Sequence, residues 1–115
     1  MAEGRLTDIT MDFAVNIIVT VDGIRGHSTL VDKLERSATA IGAHIREIKH
    51  SHNRGDYAVK LQAALKECYE TEYWLELIQK ARLLPADVCD LALRDCGAIR
   101  RMLSAALKTN KDIII

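Results

Sequence analysis

The chain has very few residues that interrupt helices. Its 115 residues include one proline and six glycines, and four of the glycines fall at chain ends or candidate turns. Long stretches without these residues favour helices. Aromatic residues are also rare, at 4%, whereas hydrophobic residues make up 49%, as in a globular protein. The length corresponds to one domain, residues 1–115, which is able to bury a core without a disulfide or a metal.

An excess of charge of either sign is absent as well. Sixteen basic side chains balance sixteen acidic ones. A neutral chain has no long-range attraction to nucleic acid or to an anionic membrane, although a local basic patch is still allowed. No stretch approaches the length of a membrane span, and no apolar run near the N-terminus precedes a cleavage site. We therefore expect a cytoplasmic protein that does not contact a membrane.

Cysteine is scarce, and the three cysteines are widely spaced: Cys68, Cys89 and Cys96. An odd number at this spacing does not indicate a disulfide framework. Cys89 and Cys96 are two helical turns apart, about 10 Å, which is too far to share one metal ion. We expect all three to be buried as small hydrophobic side chains in a reducing compartment.

Four segments have the hydrophobic spacing of amphipathic helices. They cover about residues 7–22, from 28 to a turn at 51–55, from that turn to 82, and 85–109. A short lead, 1–6, precedes them, and an apolar tip, 112–115, follows. Short connections make neighbouring helices antiparallel, so the sequence predicts an all-α, antiparallel up-down-up-down four-helix bundle.

Local signals define the second and third helices best. Ser28 or Thr29 is expected to cap the second helix, with Asp32 as the partner of Thr29, and Asn53 is expected to cap the third. A heptad-like seam runs along the second helix: Leu34, Ala38, Ile41, Ile45, Ile48 and His52. Small residues beside this seam, including Gly42, predict that another helix approaches closely there.

No complete catalytic or metal site is recognisable. Glu47 and His50 form the single Glu-x-x-His pair, whereas a di-metal site in a bundle needs two such pairs and further glutamates. No nucleophile elbow frames Ser37, Thr39 or Cys68, and no glycine-rich phosphate loop is present. We therefore expect a protein without enzymatic activity, cofactor or metal.

Charged residues on the second and third helices suggest structural ion pairs. The expected partners are Arg36 and Arg46 on one side and Glu67, Glu70 and Glu72 on the other. Pairs between neighbouring helices fix their register, and this role is favoured over acid and base catalysis by Glu70 and Glu72.

Two surfaces are candidates for binding. The third helix is apolar over more surface than one core can cover, which predicts an oligomer interface formed by Tyr73, Trp74, Leu77 and Ala81. The fourth helix carries the densest basic patch: Arg94, Arg100, Arg101, Lys108 and Lys111. A solvated face explains this patch, and weak contact with RNA or DNA is the sharper alternative. Aromatic residues do not alternate with the basic ones, so base stacking is not indicated.

Three segments carry a resemblance to a known family. The runs Arg36–Glu47 and Glu70–Leu75, together with Asp56-Tyr57, resemble bacterial four-helix-bundle proteins first noticed in intervening sequences of large-subunit rRNA genes. The resemblance extends over about residues 30–108. It implies a ring-shaped homo-oligomer, commonly a pentamer, without established enzymatic activity. A distant relative is an accessory protein of a reverse transcriptase and binds nucleic acid through a basic surface. RNA, DNA or a nucleic-acid enzyme is therefore the alternative partner to further copies of the chain.

Overall fold

The computed structural model describes the backbone of residues 2–114 and the side chains of residues 5–109. This part of the chain contains four α-helices, one short 3-10 helix and no strand. In chain order they are α1 (Ala2–Val21), α2 (Ser28–Glu47), the 3-10 helix (Ile48–His50), α3 (Arg54–Lys80) and α4 (Ala86–Ile114). The predicted all-α four-helix fold is confirmed.

The helices form an elongated bundle of 48 × 21 × 20 Å. Each helix packs against the next one in the chain, and α1 also packs against α4. Helices α2 and α3 run in opposite directions, since Arg36 contacts Glu70 whereas the later residue His44 contacts the earlier Glu67. This is the direction that an up-down arrangement with short connections requires.

The core is built from the apolar stripes of all four helices. The predicted seam of α2 is buried from Leu34 to Ile48, with Ile41 fully inaccessible. Its partners include Ile17 of α1 and Leu75 of α3. His52, which the pattern places at the end of the seam, lies beyond the 3-10 helix and is exposed, because α2 itself ends at Glu47.

Helix α1 lies close to α2 at a glycine. A Cβ atom placed on Gly42 would lie 3.2 Å from the Oγ1 of Thr10. Thr10 is fully buried, and its hydroxyl donates to the Leu6 carbonyl at 2.7 Å, so it has little freedom to move. The predicted close approach at the small residues of α2 is thus confirmed, and α1 is the helix that makes it.

Helix ends differ from the sequence-based expectation in three places. Helix α1 begins at Ala2 within the predicted lead, because buried Leu6 extends its apolar stripe. Helix α4 continues through most of the predicted tip to Ile114, and the side chains there lie outside the described residues. The predicted caps of α2 are wrong, because Ser28 is already helical and the capping position is His27, whose φ of 56° is left-handed.

The start of α3 agrees with prediction. The side-chain oxygen of Asn53 accepts a hydrogen bond from the Asp56 backbone N–H at 2.8 Å. Asp56 also accepts from the Lys60 ammonium group at 2.8 Å and from the His52 backbone N–H at 3.0 Å. These contacts hold the pKa of Asp56 below its usual value, with the Lys60 hydrogen bond as the largest cause. The turn between α2 and α3 is therefore fixed by polar contacts at the helix start.

Candidate interaction surfaces

One glutamate of α3 joins the helix to α2. The Arg36 guanidinium donates to Glu70 Oε2 at 3.0 Å, and the Trp74 indole N–H donates to the same oxygen at 3.3 Å. The Arg36 side chain is 61% exposed, so water competes for this pair. The contact orients Trp74 and is structural.

A second glutamate joins α3 to α4. Glu72 Oε2 accepts from Arg100 Nε at 3.1 Å, and the two side chains are only 18% and 30% exposed. The hydrogen bond with Glu72 is the largest cause that raises the pKa of Arg100. The expectation that Glu72 pairs with Arg36 or Arg46 is therefore corrected. Arg100 is also a weaker candidate for phosphate contact, because it already holds a carboxylate and lies 5.8 Å from the centre of the Tyr69 ring.

The third predicted glutamate has a histidine as its partner. Glu67 Oε2 lies 3.8 Å from His44 Nε2, and Glu47 lies 3.6 Å from the other ring nitrogen. Arg46 forms no ion pair with a glutamate within residues 5–109, because its exposed side chain lies beside α1 instead of α3. The proposed structural role of Arg46 as an ion-pair partner is corrected accordingly.

Helix α3 has an exposed row of large side chains at a spacing of four residues, Tyr69, Tyr73 and Leu77, which we call the α3 ridge. Their exposed fractions are 55%, 58% and 38%. Of the other predicted interface residues, Ala81 is exposed at the end of α3, whereas Trp74 is half-buried against the core. The Trp74 ring also packs edge-on against Tyr73, with 4.9 Å between the ring centres. Trp74 therefore supports the ridge and contributes less to its outer surface than predicted.

Helix α1 exposes a second apolar row, Met11, Val15 and Ile18, which we call the α1 strip. Each of the three is nearly half exposed, and they border a groove of about 380 Å³ between α1 and α2. Their spacing of four and three residues places them on one helix face. In the sequence, Val15, Ile18 and Val21 form a second apolar edge of the first helix. The structure exposes Val15 and Ile18, whereas Val21 is buried in the core.

The predicted basic patch divides into two parts. Arg94, Arg101 and Lys108 are all exposed, and their spacing of seven residues places them on one face of α4. We call these three the basic strip, and none of them forms an ion pair with another side chain of residues 5–109. Arg100 points to α3, as described above, and the Lys111 side chain lies outside the described residues.

The three cysteines are buried and free, as predicted. Cys96 Sγ lies 3.5 Å from the Cys68 carbonyl oxygen. Hydrogen bonding with Cys68, together with burial, raises the pKa of the Cys96 thiol far above its usual value. A thiol held protonated in this way is not a nucleophile.

The described residues contain neither a metal-binding cluster nor a membrane-spanning helix. Within residues 5–109, no three His, Cys, Asp or Glu side chains come together in an arrangement able to hold a metal ion. In the same part of the chain, no helix has the length and apolar character needed to cross a bilayer.

The fold and these surfaces define the class of protein, which is a four-helix bundle whose candidate functional features are exposed helix faces. The family model of the 23S rRNA-intervening sequence proteins matches residues 5–105, so the chain belongs to that family. This confirms the resemblance found in the sequence.

A solved structure from Bacteroides thetaiotaomicron is similar over nearly the whole chain. It is described as a protein with unknown function from the S23 ribosomal protein family. The two are 32% identical with a TM-score of 0.87, and the match covers 94% of this chain and 99% of the other. Among curated proteins, none matches the chain.

Proposed function

We propose that this protein is a non-enzymatic, cytoplasmic scaffold that works as a homo-oligomer, with a pentameric ring as the expected form. The α3 ridge carries the proposal. Tyr73 points away from the core at 58% exposure, with Tyr69 and Leu77 one helical turn to either side. A continuous row of large side chains on one helix face is typical of an interface.

The chemistry of the ridge suits contact between proteins. Each tyrosine offers a large apolar ring for burial and a hydroxyl that is able to keep a hydrogen bond at the edge of an interface. Trp74 stiffens the ridge from below, because Glu70 holds its indole N–H and the Lys33 ammonium lies 5.7 Å from its ring centre. A preordered surface loses less side-chain entropy on association.

The carboxylates of α3 support a scaffold over an enzyme. Glu70 and Glu72 face different neighbouring helices, and each is held by an arginine. Such pairing gives each carboxylate a structural contact between two helices.

Light scattering with size-exclusion chromatography tests this proposal at micromolar concentration. The expected mass is about five times the 12.8 kDa of one chain. Tyr73→Glu combined with Leu77→Glu should reduce the mass while the far-ultraviolet circular dichroism stays helical. Lys49→Glu is the matched control, because it changes charge at an exposed position at one end of the bundle. A monomeric parent would contradict the proposal.

A nucleic-acid-associated accessory role is the second candidate, and the basic strip favours it. Binding would be weak and independent of sequence, because the strip resembles no motif that reads base edges. The slope of log affinity against log salt should be about −0.9 for each phosphate neutralised on duplex DNA. Arg94→Glu with Arg101→Glu should abolish binding at low salt, whereas Lys49→Glu should not. Equal binding by parent and double variant would remove the strip as the contact.

A further inference from the structure

Helix α1 and the turn after it expose three aspartates, with Arg5 about one turn before Asp8 and Arg46 bordering the groove beside the α1 strip. Asp8, Asp12 and Asp22 are exposed, and none forms an ion pair within residues 5–109. Asp8 and Asp12 are one turn apart on the same face, where two like charges destabilise a helix slightly. These aspartates lie beside the α1 strip, so this face of the bundle combines exposed aliphatic side chains with negative charge.

A face of the opposite charge occurs on α3 and α4. The basic strip carries three positive charges, Asp95 beside Arg94 lines a groove towards α1, and two further aspartates of α4 have hydrogen-bond partners. Asp90 accepts from the Gln79 amide at 2.8 Å, and Asp87 accepts from the Val88 backbone N–H at 3.0 Å. The α3 ridge lies next to this helix, since the Tyr69 ring faces Arg100 of α4. The face formed by α3 and α4 therefore combines exposed aromatic side chains with positive charge.

The two faces are opposite in charge. On α1, Asp8 and Asp12 are four positions apart, and Asp22 follows the end of the helix at Val21. The basic strip covers fourteen positions of α4, about 21 Å at 1.5 Å per residue. Within one molecule α1 does not reach the α3 ridge, because it packs against α2 and α4 and lies diagonally across the bundle from α3. The basic strip lies on the exposed face of α4, and its residues form no ion pair with α1 within residues 5–109.

We infer that the acidic and aliphatic face of α1 docks on the α3–α4 face of a second copy, with Asp8 and Asp12 opposite the basic strip and the α1 strip against the α3 ridge. This inference rests on the proposed homo-oligomer and assigns its contact surfaces. Each copy uses two different faces, so the contact is head-to-tail, and such a contact closes into a ring when the rotation between copies allows it. It makes the basic strip part of a protein interface.

Charge reversal tests the pairing. One variant carries Asp8→Lys and Asp12→Lys, and the other carries Arg94→Glu and Arg101→Glu. Each alone brings like charges together at the contact, so the dissociation constant for self-association should rise by about 100-fold. All four positions are exposed, so helical content and melting temperature should stay close to those of the parent.

The decisive molecule carries all four substitutions. Its α1 face is basic and its α4 face acidic, so opposite charges face each other again and the parent's mass should return. Failure of this folded variant to assemble would overturn the inference, as would unchanged assembly of both two-site variants. In those outcomes an oligomeric parent still upholds the proposed function. A monomeric parent at every concentration would remove both. Loss of nucleic-acid binding by the Arg94 and Arg101 variant with intact assembly would assign the strip to phosphate instead.

Discussion

The hydroxyl oxygens of Ser37 on α2 and Thr71 on α3 lie 2.8 Å apart in a seam that is otherwise apolar. Both residues are fully buried. The pair reaches backbone carbonyls at both ends, since Ser37 lies 3.2 Å from the Leu34 oxygen and Thr71 lies 2.8 Å from the Glu67 oxygen. The bond between the two hydroxyls forms in one register of α2 against α3, and a slip of one turn would break it and leave each hydroxyl with only the carbonyl of its own helix.

The first prediction concerns this hydroxyl pair. Thr71→Val keeps the side-chain volume and removes one hydrogen-bonding group, so the free energy of unfolding should fall by about 1 kcal/mol. Ser37→Ala should have a similar effect. The double variant should lose less free energy of unfolding than the two single variants lose together, because each single change already breaks the shared bond. Urea unfolding of the four proteins measures this coupling, and strict additivity would show that the pair contributes no interaction.

The second prediction concerns the glycine at the contact of α1 with α2. Alanine is favoured over glycine inside a helix by about 1 kcal/mol. At Gly42 the new Cβ would press on the buried Oγ1 of Thr10 at 3.2 Å, so we expect Gly42→Ala to lower the melting temperature. Adding Thr10→Ala removes the crowding atom, and the second change should recover part of the loss. A stabilised Gly42→Ala protein would show that α1 moves away at little cost.

The third prediction compares the two glutamate–arginine pairs of α3. Glu72→Gln should lower the free energy of unfolding by about 1–3 kcal/mol, because the contact with Arg100 is charge-assisted and mostly shielded from water. Glu70→Gln should cost less than about 1 kcal/mol, since Arg36 is largely solvated. Chemical denaturation at neutral pH measures both. Equal losses from the two substitutions would contradict this ranking.

The fourth prediction concerns acid stability. The folded state lowers the pKa of Asp56 from the ordinary 3.8, so the unfolded chain binds more protons in the acidic range. The stabilisation that Asp56 contributes is fully present above its ordinary pKa of 3.8 and is lost as the pH falls through its lowered pKa in the folded state. Asp56→Asn should therefore flatten the dependence of stability on pH between about pH 5 and about pH 2. Unfolding midpoints across this range test it, and identical slopes for parent and variant would refute it.

Local patterns were sufficient for the number and order of the helices, the seam of α2 from Leu34 to Ile48 and the cap at Asn53, because spacing and capping act within a few residues. The pairing of Glu72 required the positions of helices that are distant in the chain. Part of this pairing was nevertheless predictable from the sequence, because side chains two positions apart point in directions about 200° apart around a helix. Glu70 and Glu72 were therefore never able to face α2 together. Val15 and Ile18 of the α1 strip belong to an apolar edge that is visible in the sequence together with Val21, but only the packed bundle shows that Val21 is buried and the other two are exposed.

The buried thiols allow chemical labelling to measure how the folded bundle opens. Cys68, Cys89 and Cys96 are inaccessible in the folded bundle, so a thiol reagent reacts only with molecules in which the surrounding helices have separated. Labelling rates at Cys68 and Cys96 follow the separation of α3 from α4, where the two residues touch. Cys89 follows the beginning of α4. Mass spectrometry of partly labelled protein would therefore reveal whether the bundle opens as one unit or first at one helix end.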